Sequence, residues 1–160
     1  MYTLDPIIVD QVDALMTGET NPVVVLSNAS AMLADAMPAT NWVGFYLFSS
    51  KTGTLDLGPF QGKVACTHIK PGSGVVGTAY AEDKSLIVPN VHEFAGHIAC
   101  DSASNSEVVV PMTVDGRIIG ILDIDSPELD RFSTKEQQTL IEFAAALAKH
   151  VDAAALSKVY

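Results

Sequence analysis

The dipeptide Asp115-Gly116 separates two apolar segments, residues 107–113 and 117–125. Asp-Gly between apolar segments is a strong short-range signal for a β-hairpin, because a tight turn needs residues that accept positive φ angles. The chain is therefore predicted to contain an antiparallel strand pair here. Any fold proposed for the chain must include that pair.

Four further strands are predicted from aromatic and β-branched residues, at 42–48, 55–58, 63–69 and 85–88. Helices are predicted at 6–17, 22–37 and 75–81, and from a capping box at Ser133 and Glu136 nearly to the C-terminus. Strands that follow one another between helices at both ends of the chain indicate an α+β fold. We expect a mainly antiparallel sheet of about six strands, with the terminal helices covering one face.

Composition restricts the class of protein. Of the 160 residues, 48% are apolar and 18% are charged, which is typical of a globular chain, and we expect a single domain over residues 1–160. A formal net charge of −10 repels nucleic acid and anionic membrane surfaces, so neither is expected as a partner. Two cysteines, no signal peptide and no membrane-spanning apolar run favour a cytoplasmic protein.

The two cysteines, Cys66 and Cys100, each have two interpretations. A free cysteine is most often a small buried hydrophobic residue. Cys100, however, lies in segment 90–105, which has no clear periodicity, and such a loop can expose a sulfur and favour its thiolate. Cys66 would then be a second thiol that condenses with a sulfenic acid on the first to form a disulfide. The sequence alone does not show that the two sulfurs approach each other.

Glu107, Asp123 and Asp125 interrupt the apolar strands of the predicted hairpin. Asp123 and Asp125 lie two residues apart and therefore point to one face. A two-residue turn would place Glu107 opposite Ile124, on the other face. A three-residue turn with Gly116 left-handed would place Glu107 opposite Asp123. We predict the three-residue turn, and hence three carboxylates on one face around a shared cavity.

Three carboxylates on one face of a sheet have three interpretations. They can form a solvated polar face, as antiparallel sheets commonly do. They can be oxygen ligands for a hard cation, although no calcium-binding loop motif surrounds them. They can also line a polar pocket, where crowding raises the pKa of one carboxyl so that it acts as a general acid while another binds a cationic amine.

Aromatic residues and histidines offer further candidates. Trp42 and Tyr46 share one face of their strand and form either aromatic core or the wall of a pocket for a small apolar group. His92 and His97 lack the residue spacing of a zinc site, so no metal is expected. The glycine-rich segment 72–77 lacks the lysine of a phosphate-binding loop.

Five blocks of the sequence resemble those of one known family, at residues 41–46, 58–66, 96–101, 106–111 and 122–126. The family is the free methionine-(R)-sulfoxide reductases, which are built on a GAF domain. The blocks occur in the family's order, and the resemblance covers the chain from about Pro22 to the last helix. It implies a GAF fold, with a six-stranded antiparallel sheet flanked by helices, usually as a homodimer.

The resemblance also implies an activity. The family reduces the (R)-sulfoxide of free methionine through a cysteine sulfenic acid and an intramolecular disulfide, with thioredoxin as external reductant and no bound cofactor. By the matching blocks, Cys100 would be the attacking cysteine and Cys66 the main resolving cysteine. The family's substrate carboxylates and aromatic wall match Glu107, Asp123, Asp125, Trp42 and Tyr46.

One position departs from the family pattern. Many members carry a third cysteine in a G-V-C-G segment, where this chain has Val76. We expect Cys66 alone to resolve Cys100, so that thiol exchange has one route instead of two. The alternative function is a non-catalytic GAF domain that senses a small ligand or the redox state. Such a sensor would not need Cys100 beside the carboxylates.

Overall fold

A computed structural model describes residues 1–98, 100 and 102–160 of the chain. Ala99 and Asp101, which belong to the block around Cys100, lie outside the described residues. In the described part, six strands form one sheet in the spatial order β3-β2-β1-β6-β5-β4, and neighbouring strands are antiparallel. The strands are β1 (Trp42–Ser49), β2 (Thr54–Gly62), β3 (His68–Ile69), β4 (Leu86–Val88), β5 (Ser106–Val114) and β6 (Arg117–Ser126).

Two of the helices begin at side-chain caps that the sequence predicts. Asn21 accepts a hydrogen bond from the backbone N–H of Val23, and Ser133 forms a capping box with Glu136. The helices of the described residues are α1 (Ile7–Met16), α2 (Pro22–Ala36), α3 (Gly74–Glu82), α4 (Thr134–Ala148) and α5 (Ala153–Leu156), and a 3₁₀ turn spans Val91–Glu93. None of these helices combines the length and apolar character needed to cross a lipid bilayer.

Alternation along β1 divides the apolar side chains between the two faces of the sheet. Val43, Phe45 and Leu47 pack with apolar residues of α1, α2 and α4 in one core. Trp42 and Tyr46 point the other way, into a second core with residues of α3. The terminal helices therefore cover one face, as predicted, and the α+β fold is confirmed. The opposite face, which packs with α3, is the one on which a site can form.

The hairpin between β5 and β6 has a different turn from the one predicted. Asp115 and Gly116 have φ angles of 51° and 76°, and Val114 pairs with Arg117. These are features of a two-residue turn of type I′, whose twist matches that of the flanking strands. The prediction of a three-residue turn is therefore wrong.

A β-bulge nevertheless restores the predicted side for Glu107. The register shifts between Met112 and Thr113, so that one extra residue of β6 is inserted. Beyond the bulge, Glu107 pairs with Asp125 instead of Ile124. Because residues that pair across a sheet share a face, the three carboxylates lie on one face, as predicted, but for a different reason.

Two predicted elements are shorter than expected. The third strand covers only His68–Ile69, because residues 63–67 form an irregular connection after β2. The last helix stops at Ala148, and α5 begins after Asp152, whose side chain accepts hydrogen bonds from the N–H groups of the next turn. The apolar periodicity continues through this break, which explains why the pattern predicted one long helix.

Arg131, which lies just before α4, joins three parts of the chain. Its Nη1 donates hydrogen bonds to the carboxylate of Glu136, at 2.9 and 3.1 Å, and its Nε and Nη2 donate to the carbonyl of Pro38. The guanidinium also lies 3.8 Å from the centroid of the Tyr2 ring. Its side chain is fully buried, so each donor needs these partners.

Replacing Arg131 with Met is expected to lower the free energy of unfolding by about 3–5 kcal/mol, because the Glu136 carboxylate would stay buried without its partner. The control Lys135→Met removes an exposed cation from the first turn of the same helix. It should change the free energy by less than about 0.5 kcal/mol. Urea unfolding measures both. Equal effects of the two substitutions would show that the buried ion pair does not stabilise the fold.

Candidate active site

A cavity of about 50 Å³ lies on the α3 face of the sheet. Strands β1, β5 and β6 form its floor. The start of α3 and described residues of segment 90–105, here called the Cys100 segment, form its sides. Of the predicted site residues, the cavity is lined by Trp42, Tyr46, Cys100, Glu107, Asp123 and Asp125. Cys66 is bonded to Cys100. The structure thus brings all the predicted site residues into one region.

Strand register concentrates three carboxylates in the cavity. Glu107 of β5 pairs with Asp125 of β6, and Asp123 lies two residues before Asp125 on the same face. One oxygen from each carboxylate lies within 4.8 Å of the others. Glu107 and Asp123 are only 6% and 5% exposed, so the interpretation as a solvated face is wrong for these two. Oxygen donors this close suit either a hard cation or a ligand that carries a positive amine.

Burial changes the acidity of this cluster. The pKa of Glu107 is raised well above its ordinary value, first by burial and then by the charges of Asp123 and Asp125. Burial also raises the pKa of Asp123, to about 6, although a hydrogen bond from Glu107 acts in the opposite direction and lowers it. Glu107 therefore keeps its proton near neutral pH and donates it to Asp123 in a hydrogen bond. A neutral carboxyl group beside ionised ones can act as a general acid.

Asp123 has a second feature that points to a ligand. Its Oδ1 atom is buried and has no hydrogen-bond partner among the described residues. A buried carboxylate oxygen without a donor is destabilising by roughly 1–3 kcal/mol. The cavity therefore offers a strong acceptor to any ligand that brings an N–H or O–H group.

Aromatic rings form one wall of the cavity. The Trp42 and Tyr46 rings stack with centroids 5.7 Å apart, and Phe60 stacks on Trp42 at 5.0 Å. Trp42 and Tyr46 are buried in the second core and also line the cavity, so the interpretation as aromatic core is correct and their position is compatible with a pocket wall. Sequence reasoning assigned no role to Phe60, although it lies in a block, 58–66, that carries the resemblance.

Cys66 and Cys100 form a disulfide with their Cα atoms 5.3 Å apart. This separation is within the range that disulfides occupy. The question that the sequence left open, whether the sulfurs approach, is thereby answered. Both cysteines are half-buried, so neither is an ordinary core residue, and the pair can store and release two electrons.

The rings of His92 and His97 lie edge to face, with their centroids 6.2 Å apart. His92 is hydrogen bonded through Nε2 to Oδ1 of Asn105, at 2.8 Å. His97 lines the cavity, and its pKa is lowered first by burial and then by His92. Since the two cysteines are joined to each other, they do not offer thiolates to zinc in this state. Among the described residues, the cluster suited to a cation is that of the three carboxylates.

The start of α3 contributes lining residues of which the sequence analysis related only Val76 to the site, as the position of the third family cysteine. Ser73, Gly74, Val75 and Val76 all line the cavity. Gly74 has a φ of +63°, and a Cβ there would lie 3.2 Å from the side chain of Ile98. The glycine-rich segment that is a weak signal for a phosphate site therefore serves as a tight turn into α3 beneath the Cys100 segment. The glycine-rich turn is therefore the sequence signal that could have indicated these lining residues.

Comparison with known proteins agrees with this geometry. The family model of the GAF domain matches residues 21–151. The free methionine-R-sulfoxide reductase of Escherichia coli (strain K12) is 50% identical over 137 residues, which are 86% of this chain and 82% of that protein.

Two solved structures are also similar. One is fRMsr of Staphylococcus aureus in its reduced form, with a TM-score of 0.86 and 44% identity over 94% of this chain and 99% of that one. The other is free methionine-R-sulfoxide reductase from Neisseria meningitidis in complex with its substrate, with a TM-score of 0.86 and 42% identity over 89% and 85% of the two chains.

The fold and the matched residues define a GAF domain protein. Within that class, the chain belongs to the free methionine-R-sulfoxide reductase family. The family resemblance carried by the five sequence blocks is thereby confirmed.

Asp123→Asn is expected to flatten the pH dependence of stability. In the parent, folding raises the pKa of Asp123 from 3.8 to about 6, so between these pH values the folded chain binds more protons than the unfolded chain. The parent's free energy of unfolding therefore falls, through this residue, as the pH rises. Asparagine does not titrate. The free energy of unfolding of the variant, relative to that of the parent, should therefore rise by up to about 3 kcal/mol between pH 4 and pH 7.

Urea unfolding at several pH values measures this difference. Asp35→Asn removes an exposed carboxylate and controls for the change in net charge. A difference between Asp123→Asn and the parent that stays constant from pH 4 to pH 7 would contradict the raised pKa.

Proposed function

We propose that this protein reduces the (R)-sulfoxide of free methionine to methionine. One observation carries the proposal: the disulfide between Cys66 and Cys100 lies at a cavity lined by three clustered carboxylates and an aromatic wall. A redox-active cysteine, a buried acid and an apolar surface are the three features that reduction of a small sulfoxide requires. The relatives that bear this activity in their names support the assignment.

Glu107 is proposed to supply the proton. A sulfoxide oxygen is a poor leaving group until it is protonated, and the raised pKa of Glu107 keeps a proton available near neutral pH. The Cys100 thiolate then attacks the substrate sulfur. A sulfur–sulfur bond forms, the protonated oxygen then moves from the substrate sulfur to the Cys100 sulfur as that bond breaks, methionine leaves, and Cys100 remains as a sulfenic acid. The substrate sulfur gains two electrons and the Cys100 sulfur loses them.

Cys66 is proposed to complete the cycle. Its thiol attacks the sulfenic sulfur of Cys100, water leaves, and the disulfide forms. The Cα separation of 5.3 Å supports this step, because the two residues can be bonded without distortion of the backbone. Val76, at the position of the third family cysteine, lines the same cavity with an inert side chain. The exchange therefore has one route within the chain.

The remaining cavity residues are proposed to select a free amino acid. The ammonium group of methionine sulfoxide would bind Asp123 and Asp125, and Oδ1 of Asp123 lacks a donor that this group could provide. The methyl group would lie against Trp42 and Tyr46. A methionine within a peptide has no charged amine at this place, so the buried carboxylates disfavour it.

The recycling partner is proposed to be thioredoxin, because a disulfide of this kind is reset by attack of an external dithiol. We also propose that the enzyme needs no bound cofactor and acts in the cytoplasm as a homodimer. A single GAF domain over residues 1–160 is supported by α1, whose residues Val12 and Met16 lie in the same core as those of α2 and α4.

The decisive test is a reductase assay against three substrates: free methionine (R)-sulfoxide, the free (S)-sulfoxide and a peptide that contains methionine sulfoxide. Turnover of the free (R) form alone is expected. No turnover of the free (R) form with thioredoxin or dithiothreitol would favour the alternative, a GAF domain that senses a ligand or redox state without catalysis. Peroxide is tested separately. If the protein reduced peroxide but no methionine sulfoxide, it would be a scavenging dithiol protein.

Substitution of each cysteine should affect a different step. Cys100→Ser is expected to abolish methionine formation, because no nucleophile remains. Cys66→Ser should release about one methionine per site with thioredoxin as reductant, since the sulfenic acid forms but no disulfide follows. Quench-flow measurement of methionine per site separates the two outcomes. Sustained turnover by Cys66→Ser with thioredoxin would mean that another group resolves Cys100.

Glu107→Gln is expected to slow the first turnover by at least about 100-fold, because an amide does not supply the proton that a general acid provides. The control Glu93→Gln changes an exposed residue of the Cys100 segment and should keep the parent rate. The rate of methionine release in a single turnover measures the effect. A slowing of less than about tenfold would assign the acid to another carboxyl group.

A further inference from the structure

Trp42 and Tyr46 do more than line the cavity, because each also holds the connection that carries Cys66. The indole Nε1 of Trp42 donates a hydrogen bond to the carbonyl of Lys63, at 3.2 Å. The hydroxyl of Tyr46 donates to the carbonyl of Cys66 itself, at 3.0 Å. We refer to residues 63–66 as the Cys66 segment. Two buried side chains of β1 therefore bind both ends of this segment.

The Cys66 segment has little other support from regular structure. It lies between the end of β2 and the short β3, with irregular backbone. Lys63 is exposed and Val64 is 89% exposed. Ala65 and Cys66 are half-buried, and a segment without regular structure is held only by the few contacts that it makes. The hydrogen bonds from Trp42 and Tyr46 therefore restrict its position.

Gly62 lets the segment approach the indole so closely. It has a φ of 144°, and a Cβ there would lie 2.5 Å from Cδ1 of Trp42. The backbone thus leaves β2 against the edge of the Trp42 ring, where a side chain would not fit. The approach brings the Lys63 carbonyl to the indole N–H.

The hydroxyl of Tyr46 is a dependable donor. Tyr46 is 2% exposed, and burial, followed by the charges of Asp123, Asp125 and Glu107, raises its pKa. It therefore keeps its proton at neutral and moderately alkaline pH. A buried hydroxyl needs an acceptor, and the acceptor that it meets here is the backbone of the Cys66 segment.

We propose that Tyr46, assisted by Trp42, is a positioning residue that holds Cys66 for closure of the disulfide with Cys100. The inference rests on the proposed function, in which Cys66 resolves the sulfenic acid on Cys100. In that step the Cys66 sulfur attacks the Cys100 sulfur, the sulfur–oxygen bond breaks, and the hydroxyl group leaves as water after taking the thiol proton. A Cys66 held in place has a higher effective concentration at Cys100.

Thiol–disulfide equilibrium with glutathione tests the positioning without methionine sulfoxide. The ring of Tyr46 is kept in Tyr46→Phe, but the donor to Cys66 is lost. A net hydrogen bond of ordinary strength corresponds to about fivefold in an equilibrium constant, so the disulfide should be up to about fivefold easier to reduce in Tyr46→Phe. Because no substrate is needed, this readout is informative even if the proposed activity is absent.

Tyr160→Phe is the matched control. The Tyr160 hydroxyl also donates to a backbone carbonyl, that of Leu57 in β2, at 3.2 Å, but not within the Cys66 segment. Its glutathione equilibrium should equal that of the parent. An unchanged equilibrium in Tyr46→Phe would overturn the proposal, and so would equal shifts in the two variants.

Trapping of the sulfenic acid gives a second readout. After one turnover with free methionine (R)-sulfoxide, dimedone competes with Cys66 for the Cys100 sulfenic acid, and mass spectrometry measures the adduct relative to the disulfide. This ratio should rise severalfold in Tyr46→Phe, however fast the first step is. A ratio equal to that of the parent would overturn the proposal.

Trp42→Phe keeps the test open if Tyr46→Phe does not fold. It removes the donor to Lys63 and leaves an aromatic ring at the position. Its disulfide should be easier to reduce, and its dimedone adduct more abundant, than in the parent. Parent values for both measurements in a folded Trp42→Phe would count against the proposal.

Discussion

The pairing of β5 with β6 is the constraint on which the site depends. A two-residue turn without a bulge would place Glu107 opposite Ile124 and send its carboxylate into the core packed by α1, α2 and α4. The single extra residue beside Met112 shifts the register and pairs Glu107 with Asp125 instead. Because side chains alternate between the faces of a strand, this one-residue shift decides whether three carboxylates meet or separate. The pKa values, the free acceptor on Asp123 and the proposed acid chemistry all follow from it.

The two faces of the sheet have different tasks. On one face, α1, α2 and α4 bury a large apolar core, and burial of apolar surface is the dominant favourable contribution to folding. On the other face, a smaller core shares its space with Glu107 and Asp123, which are buried at a cost in stability. Buried ionisable groups with perturbed pKa values commonly occur at functional sites. The stability that the first core provides therefore offsets the cost of burying Glu107 and Asp123 on the second face.

The aromatic wall of the cavity and the segment that carries Cys66 depend on the same two side chains. Trp42 and Tyr46 stack to form the aromatic wall, and their polar atoms hold the Cys66 segment. Amphipathic aromatic residues suit this double role, because each has a broad apolar ring and one hydrogen-bond donor at its edge. The substrate's methyl group and the resolving cysteine would thus be placed by the same two residues of β1. A substitution of either residue would therefore alter both the binding of the substrate's methyl group and the closure of the disulfide.

The sequence by itself determined the hairpin at Asp115-Gly116, the capped helices, the α+β class and, through the five matching blocks, the family. These features depend on neighbouring residues or on residue identity, which a sequence displays directly. The tertiary structure alone decided the bulge beside Met112, the hydrogen bonds from β1 to the Cys66 segment, the irregular path of residues 63–67 and the break after Ala148. It also decided that Cys66 and Cys100, 34 residues apart, lie 5.3 Å from each other at their Cα atoms. Each of these depends on contacts between distant parts of the chain, and the free energies of such contacts are set by packing, which local patterns do not encode.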